Sequence, residues 1–264
     1  MSVLDRIRVN LQDISQFGPG FLWRHSPRLS GAKTALIRIN GQPIHVRAGE
    51  SDVAAVRQVF GFRHYDMANG VPEIDYRVTA RYKAICDRGG VPVIVDAGAN
   101  IGAAALWFKR RYPASAVVAI EPDPANYSVL RMNADLTDAV TPIEAAIGSS
   151  PGFVSVKSEG MGWATQTVRA ENGLRIITMQ EAFSTIKNGV PFIAKVDIEG
   201  FESDLFSDNT EWLAETTVVH IEPHDWMMPG KGTSLSFQKA IAAHSYELFL
   251  ASEIITYVRL ISDE

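Results

Sequence analysis

Acidic side chains recur in this sequence at one kind of place, the point where a short apolar run stops. Asp96 closes Pro92-Val93-Ile94-Val95-Asp96, Glu121 closes Ala116-Val117-Val118-Ala119-Ile120-Glu121, and Asp197 closes Phe192-Ile193-Ala194-Lys195-Val196-Asp197. Glu222 closes Thr217-Val218-Val219-His220-Ile221-Glu222. Glu199 lies just beyond Asp197, and His224 just beyond Glu222. A carboxylate or an imidazole can take the proton from an attacking hydroxyl; alternatively, such groups can hold a metal ion that polarises it. Asp197, Glu199, Glu222 and His224 are therefore the candidate catalytic groups. As metal ligands, Asp197, Glu222 and His224 offer one imidazole among carboxylates, which suits Mg²⁺, Mn²⁺ or Ca²⁺ better than a soft ion. A purely structural cluster is the remaining reading.

The turn after the first acid is Asp96-Ala97-Gly98-Ala99-Asn100-Ile101-Gly102. Gly98 and Gly102 permit a tight turn with close approach of a ligand to the backbone, and asparagine at position 100 tolerates left-handed geometry. A carboxylate before such a turn is badly placed against a diphosphate but well placed for a ligand carrying an ammonium and a sulfonium. Glu121, followed by Pro122, is positioned to accept hydrogen bonds from ribose hydroxyls. The spacing points to S-adenosylmethionine, held by Asp96, Gly98, Asn100, Gly102, Glu121 and Pro122, with Asp197 close to the methyl donor. Glu144 either faces the adenine edge or is an exposed strand residue. A nicotinamide-dependent oxidoreductase would carry Gly-x-Gly-x-x-Gly, which this turn lacks. A catalytically inactive, cofactor-binding relative is the other alternative, and the intact turn argues against it.

Positioning these groups requires parallel strands whose carboxyl ends lie side by side. From about residue 74 apolar strands alternate with helices: helix 74–88, strand 92–96, helix 103–111, strand 116–120, helix 125–136, strand 140–146, helix 178–187, strand 192–197, helix 202–206, strand 217–222 and helix 235–244. Two final apolar runs, 246–250 and 254–260, are too close for a crossover and must pair as a hairpin. The expected fold is α/β: a doubly wound, Rossmann-like, mostly parallel seven-stranded sheet with a C-terminal antiparallel hairpin. Upstream, residues 34–47 read as a hairpin about Asn40-Gly41, and Ser51-Asp52 as an N-cap for a helix through Val59. Residues 1–73 are thus an N-terminal extension and lid, with Phe62–Met67 reaching over the cofactor, and residues 74–264 the cofactor-binding domain.

Three segments resemble the FkbM-type methyltransferases, a family with the class I methyltransferase fold. They are Val95-Asp96-Ala97-Gly98-Ala99-Asn100-Ile101-Gly102, Ala119-Ile120-Glu121-Pro122-Asp123-Pro124-Ala125-Asn126-Tyr127 and Lys195-Val196-Asp197-Ile198-Glu199-Gly200-Phe201-Glu202. Ser51-Asp52, Val59-Phe60, Tyr65 and Ile221-Glu222-Pro223-His224 extend the likeness over about residues 45–225. The resemblance implies methyl transfer from S-adenosylmethionine, commonly to a hydroxyl of a sugar or natural product. It carries no information on which acceptor.

Composition bounds the rest. The chain has 264 residues, 46% hydrophobic and 21% charged, with a formal net charge of −5. With a pI near 5.7, no global field attracts nucleic acid, so a small-molecule partner is expected. Cys86 is the single cysteine, which excludes an intramolecular disulfide; on a helix it reads as a buried small hydrophobe. No run approaches the ~18 apolar residues of a membrane span, and the opening residues lack a signal-peptide pattern, so the cytoplasm is the expected location. Val3, Leu4, Ile7, Leu11 and Ile14 share a helical face, to be packed on this domain or on a second copy in a homo-oligomer. The stretches 158–165 and 225–232 look like walls of the acceptor pocket or ordinary surface loops. His220 reads as a hydrogen-bonded core residue, Glu202 as a helix cap, and Lys195 as a neutralising partner of Asp197 or a rim residue.

Overall fold

The computed structural model describes residues 3–25, 31–67, 71–158, 165–251 and 253–260. Helix α1 (Val3–Phe17) runs into a 3₁₀ turn, Pro19–His25. Of the apolar face expected on it, Leu11 is 60% exposed and Ile14 half-buried. Phe17 anchors its C-terminal end, packing on Phe21 with ring centroids 4.6 Å apart. Buried Asp13 adds a polar lock, 2.8 Å from Arg24 and 2.7 Å from Arg57.

Strands β1 (Thr34–Ile39) and β2 (Gln42–Arg47) pair about Asn40 and Gly41, whose φ angles of 49° and 89° fit the predicted hairpin turn. Helix α2 (Asp52–Val56) continues as a π turn, Arg57–Gly61. Ser51 stands at its N-cap but makes no capping bond. The buried Asp52 carboxylate instead accepts from the Arg47 backbone N–H at 2.7 Å. Helix α3 (Pro72–Asp87) begins with proline in its first turn, where a missing N–H costs nothing, and carries a half-buried Cys86.

The sheet then builds through β3 (Val91–Ala97), α4 (Ala103–Arg111), β4 (Ala116–Glu121), α5 (Pro124–Ala134) and β5 (Val140–Glu144). Here the structure departs from expectation. The strand predicted over 140–146 stops at Glu144, and Ala146–Ile147 (β6) enters a second sheet with β7 (Gly152–Ser158), β8 (Thr165–Ala170) and β9 (Leu174–Ile177). Its order is β6-β9-β7-β8. Polar residues on β8 and the exposed Phe153 and Val168 disguise the alternation that marks a half-buried strand.

The chain returns with α6 (Met179–Ser184), whose Thr178 and Glu181 form a capping box, and β10 (Gly189–Val196). It finishes with α7 (Glu202–Leu205), β11 (Val218–Ile221), α8 (Leu235–Ala242), β12 (Tyr246–Ala251) and β13 (Ile254–Arg259). The seven-stranded sheet has the order β12-β13-β11-β10-β3-β4-β5. β13 runs antiparallel to both neighbours, while β11, β10, β3, β4 and β5 are parallel.

Strand residues alternate between two cores. Ile94, Val117, Phe192 and Val218 face one side with Phe108 and Tyr112; Val93, Val95, Val118, Ala194 and Val196 face the other with Phe237. Each buried Val, Ile or Phe contributes about 1.5–3 kcal/mol. Phe17, Phe21, Ile44, Val56 and Tyr65 of the N-terminal segment join the first of these cores. Strand order reverses between β3 and β10, and in open α/β sheets the crevice at that point, outside the carboxyl ends, is where ligands bind.

Candidate active site

At that crevice the tips of β3 and β10 touch. The Asp197 N–H donates to the Ala97 carbonyl at 3.1 Å. Gly98 has φ +75°, and a Cβ there would lie 1.7 Å from the Asp197 carbonyl oxygen, so no other residue fits. The N–H groups of Gly98 and Ala99 donate to the Ile120 carbonyl, fastening the turn to β4. Asn100 sits at φ 51°, and its side-chain Oδ1 is buried with no hydrogen-bond partner among the described residues. Gly102, also left-handed, starts α4.

Glu121 is 5% exposed and braces this turn from β4. Its Oε2 accepts from the Asn100 N–H at 2.8 Å and its Oε1 from the Asp123 N–H at 2.9 Å. Burial pushes its carboxyl up to about 7, against the pull of these hydrogen bonds. Beneath the turn, Lys195 is not at the rim. Its ammonium lies 3.1 Å from Asp96 and 3.4 Å from Asp197 and donates to the Gly98 carbonyl at 2.6 Å. Asp96 is fully buried; burial raises its pKa while Lys195 pulls it down. Burial also opposes the charge on Lys195, yet Asp96 and Asp197 hold its pKa well above the usual value.

The candidate catalytic groups converge beside Asp197. His224 is 3% exposed; its Nδ1 is 2.9 Å from Glu202 Oε1 and its Nε2 is 3.6 Å from Asp197 Oδ1. Burial works against the imidazolium, but the Glu202 hydrogen bond and the neighbouring carboxylates outweigh it and lift the pKa to about 9. Glu202, 1% exposed, also accepts from the Ile198 N–H; it braces His224 and the 198–202 turn, whereas Phe201 occupies the N-cap of α7. Burial followed by the charge of Asp197 raises both Glu199 and Glu222 to about 7. Glu199 has φ 55°, a conformation disfavoured outside glycine and asparagine.

Ligand atoms of Asp197, Glu199 and His224 all lie within 4.8 Å of one another. This grouping differs from the set expected from sequence in having Glu199 where Glu222 was named. Holding the Nδ1 of a histidine by a carboxylate, as Glu202 does, is the usual way of presenting Nε2 to a metal.

A cavity of about 500 Å³ opens above these groups, within the range of small-molecule sites. Of the residues named from sequence, Gly98, Asn100, Glu121, Pro122, Asp197, Glu199, Glu222 and His224 line it. Asp96 and Gly102 do not; the first acts through Lys195, and the second shapes the helix start. Glu144 is exposed and outside the lining, because β5 ends there and Ala145, Ala146 and Ile147 turn inward in its place.

The lid also differs from expectation. Phe62–Met67 contribute nothing to the lining: Phe62 points outward, while Tyr65 packs on Phe108 and His220. The wall comes from Arg47, Glu50, Ser51, Ala54, Ala55 and Gln58. Arg47 fixes it by pairing with Asp52 at 2.7 Å and donating to Asn126 Oδ1 on α5 at 2.6 Å. The Ser51-Asp52 pair was the available signal for this wall. Trp226 and Met227 of the 225–232 loop and Thr167 of β8 complete the lining, while residues 159–164 lie outside the described residues. His220 is a core residue, its Nδ1 2.9 Å from the Thr256 hydroxyl.

The strand order, with an antiparallel strand inserted next to the last parallel one, defines a class I methyltransferase-like fold. A family model described as the methyltransferase FkbM domain matches residues 96–258, and the chain belongs to that family. It is 51% identical over 158 residues to Methyltransferase 1 of Beauveria bassiana (strain ARSEF 2860), covering 48% of this chain and 64% of that protein. Over 64 residues it is 47% identical to Methyltransferase sdnD of Sordaria araneosa, covering 23% of this chain and 25% of the relative. The hexuronic acid methyltransferase AglP of Haloferax volcanii is 29% identical over 147 residues, covering 54% and 60% of the two chains. The matched stretches thus span less than two thirds of each relative's length. Among solved structures, the FkbM methyltransferase of Methylobacillus flagellatus KT aligns with a TM-score of 0.44 and 16% identity, over 64% of this chain and 43% of that one. No helix among the described residues is long and apolar enough to cross a membrane.

Proposed function

We propose that this cavity binds S-adenosylmethionine and that the protein transfers its methyl group to a hydroxyl of a sugar or natural product. The observation that carries the reading is the convergence of Gly98, Asn100, Glu121, Asp197, Glu222 and His224 on one cavity at the reversal of strand order. The residues suit the cofactor. Gly98 leaves a cradle that a Cβ would fill, Asn100 offers a buried carbonyl without a partner, and Glu121 keeps lone-pair capacity for ribose hydroxyls. When bound, the sulfonium supplies an activated methyl group. The chain's part is to align the acceptor and take its proton.

Glu199 and Glu222, both near 7, are the groups poised to accept that proton at neutral pH. His224 near 9 is already charged there, so its role is to steady Asp197 and its neighbouring carboxylates. The N-terminal extension, 1–73, supplies the wall over the ribose corner and acts as part of the cofactor site. The sugar class of acceptor draws support from AglP, named for hexuronic acid.

A divalent cation is a second reading, favoured by the Asp197, Glu199 and His224 grouping and by the Glu202 brace. It would polarise the acceptor hydroxyl, and those three residues would hold it. Calorimetric titration with S-adenosylhomocysteine, against NAD⁺ as control and with EDTA-treated protein in parallel, tests the proposal. Saturable binding of the first alone supports it; no binding to folded protein overturns it. Restoration of methyl transfer by Mg²⁺ after EDTA would select the metal reading.

A further inference from the structure

We infer that α1, the 3₁₀ turn after it and the β1–β2 hairpin form a docking face for an anionic lipid surface, on which the protein sits without spanning it. The charge of the chain is divided along its length. Residues 1–47 hold seven lysines and arginines against two acids, a net +5 in a chain of −5, which leaves −10 on the other 217 residues. From residue 8 to residue 47 the one acid is Asp13, and it is withdrawn from the surface, buried between Arg24 and Arg57 at 2.8 and 2.7 Å. Arg8, Lys33 and Arg38 are exposed.

Apolar side chains stand out beside these cations. Trp23 is 67% exposed, and Leu11, Leu22 and Leu36 are exposed with it. Three contacts hold them on one platform. Arg24, the residue after Trp23, donates to Asn10 Oδ1 at 2.5 Å and so ties the 3₁₀ turn to α1. A Cβ on Gly20 would lie 3.6 Å from the Arg38 Cβ, so the turn packs against β1 at Arg38. The Asn40 N–H donates to the Phe17 carbonyl at 3.4 Å, joining the hairpin turn to the end of α1. On β1, Leu36 and Arg38 share the outer side while Ala35, Ile37 and Ile39 are buried.

An anionic bilayer repels a net-negative protein unless its cations are gathered on one face, which is what this division of charge achieves. Each basic residue brought to such a surface raises partition about fivefold. The leucines and the tryptophan add burial at the boundary between headgroups and acyl chains, where an indole ring is favoured. Nucleic acid would use the cations but leave the leucines in water. The face is independent of the proposed methyl transfer, so either can fail without the other.

The test floats the full-length protein with vesicles of phosphatidylcholine containing about 30 mol% phosphatidylglycerol, and with phosphatidylcholine alone, in about 0.1 M and about 0.5 M NaCl. Trp23 emission is taken by difference from Trp23→Phe, since the chain has five tryptophans. The expected result is a partition onto the anionic vesicles at least roughly tenfold above the neutral ones, lost at the higher salt, with Trp23 emission shifted to the blue. Arg8→Gln and Arg38→Gln should each weaken it by about three- to fivefold, and Leu22→Ser with Trp23→Ser by about tenfold or more. All should keep the parent thermal transition, because these side chains stand in solvent. Leu248→Ser with Leu250→Ser, exposed on β12, should leave partition unchanged.

Equal partition onto the two vesicle types overturns the inference, as does an unmoved Trp23 emission or an equal loss in the β12 variant. A blue-shifted Trp23 in lipid-free protein that reverts on dilution would give the face to a second copy and overturn it too. So would binding to duplex DNA tighter than to the vesicles and unaffected by Leu22→Ser with Trp23→Ser.

Discussion

A methyl group on Gly98 would collide with the backbone of Asp197, not with a side chain that can swing away. Gly98→Ala should therefore separate the tips of β3 and β10, costing about 1–3 kcal/mol and at least tenfold in S-adenosylhomocysteine affinity, read by thermal unfolding and calorimetry. Asp197→Asn keeps the shape of the floor and removes a charge; methyl transfer should fall by about 100-fold or more while cofactor affinity stays within a few-fold. Near-normal turnover would remove Asp197 from the mechanism. Asp96→Asn should act differently, as a stability defect of about 3–5 kcal/mol, because Lys195 is buried and loses its nearer carboxylate. The positions of these acids were legible in the sequence because each follows a local pattern, an apolar run ending at a turn. Their partners were not: Lys195 with Asp96 and Glu202 with His224 are set by strand register and turn geometry that no local pattern encodes. Between the two readings open for Glu144, its exposure at the end of β5 selects the exposed strand residue, a choice set by which residue of the strand points outward.

Helices and strands of the large sheet could be read from the alternation of apolar strands with amphipathic helices, and the C-terminal hairpin from the short gap between its strands. The second sheet could not, because its strands are short, polar on one face and interrupted by a glycine-rich stretch that reads as loop. It is nevertheless joined to the site. Arg169 on β8 reaches Asp204 on α7 at 2.5 Å, and α7 begins with the residue that braces His224. Residues 62–67, expected over the cofactor, stand outside the cavity lining, where α2 and the residues flanking it supply the wall. Arg47→Ala should loosen this wall: with Asp52 left unpaired and Asn126 unsupported, cofactor affinity should drop about tenfold with kcat little changed. A fall in kcat with unchanged affinity would place Arg47 in the chemistry instead.

Across the molecule, the buried ionisable groups set the pH range of greatest stability. Glu121, Glu199 and Glu222 are raised to about 7, so the stability they contribute is present below their ordinary value of 4.5 and is lost as pH rises through 7. His224, raised from 6.5 to about 9, acts in the same sense, its contribution present below 6.5 and lost through 9. His220 is lowered to about 3 by burial, and its contribution, present above 6.5, is lost as pH falls towards 3. Between pH 4.5 and 6.5 three carboxyls lose stability against one imidazole that gains it, so thermal unfolding of the ligand-free protein should be highest near pH 4.5 and decline towards pH 9, with Glu222→Gln flattening the decline. A transition temperature that climbs over that interval would contradict the assignment. The order of the sheet also constrains how the chain can be made. β13 lies between β11 and β12 yet is translated after both. β11 therefore has to form before its permanent neighbour on that edge can reach it. β12 is available earlier and offers a tempting but wrong partner. Until β13 is in place, Val218-Val219-His220-Ile221 presents an open hydrogen-bonding edge, the kind of bare strand that invites wrong pairing.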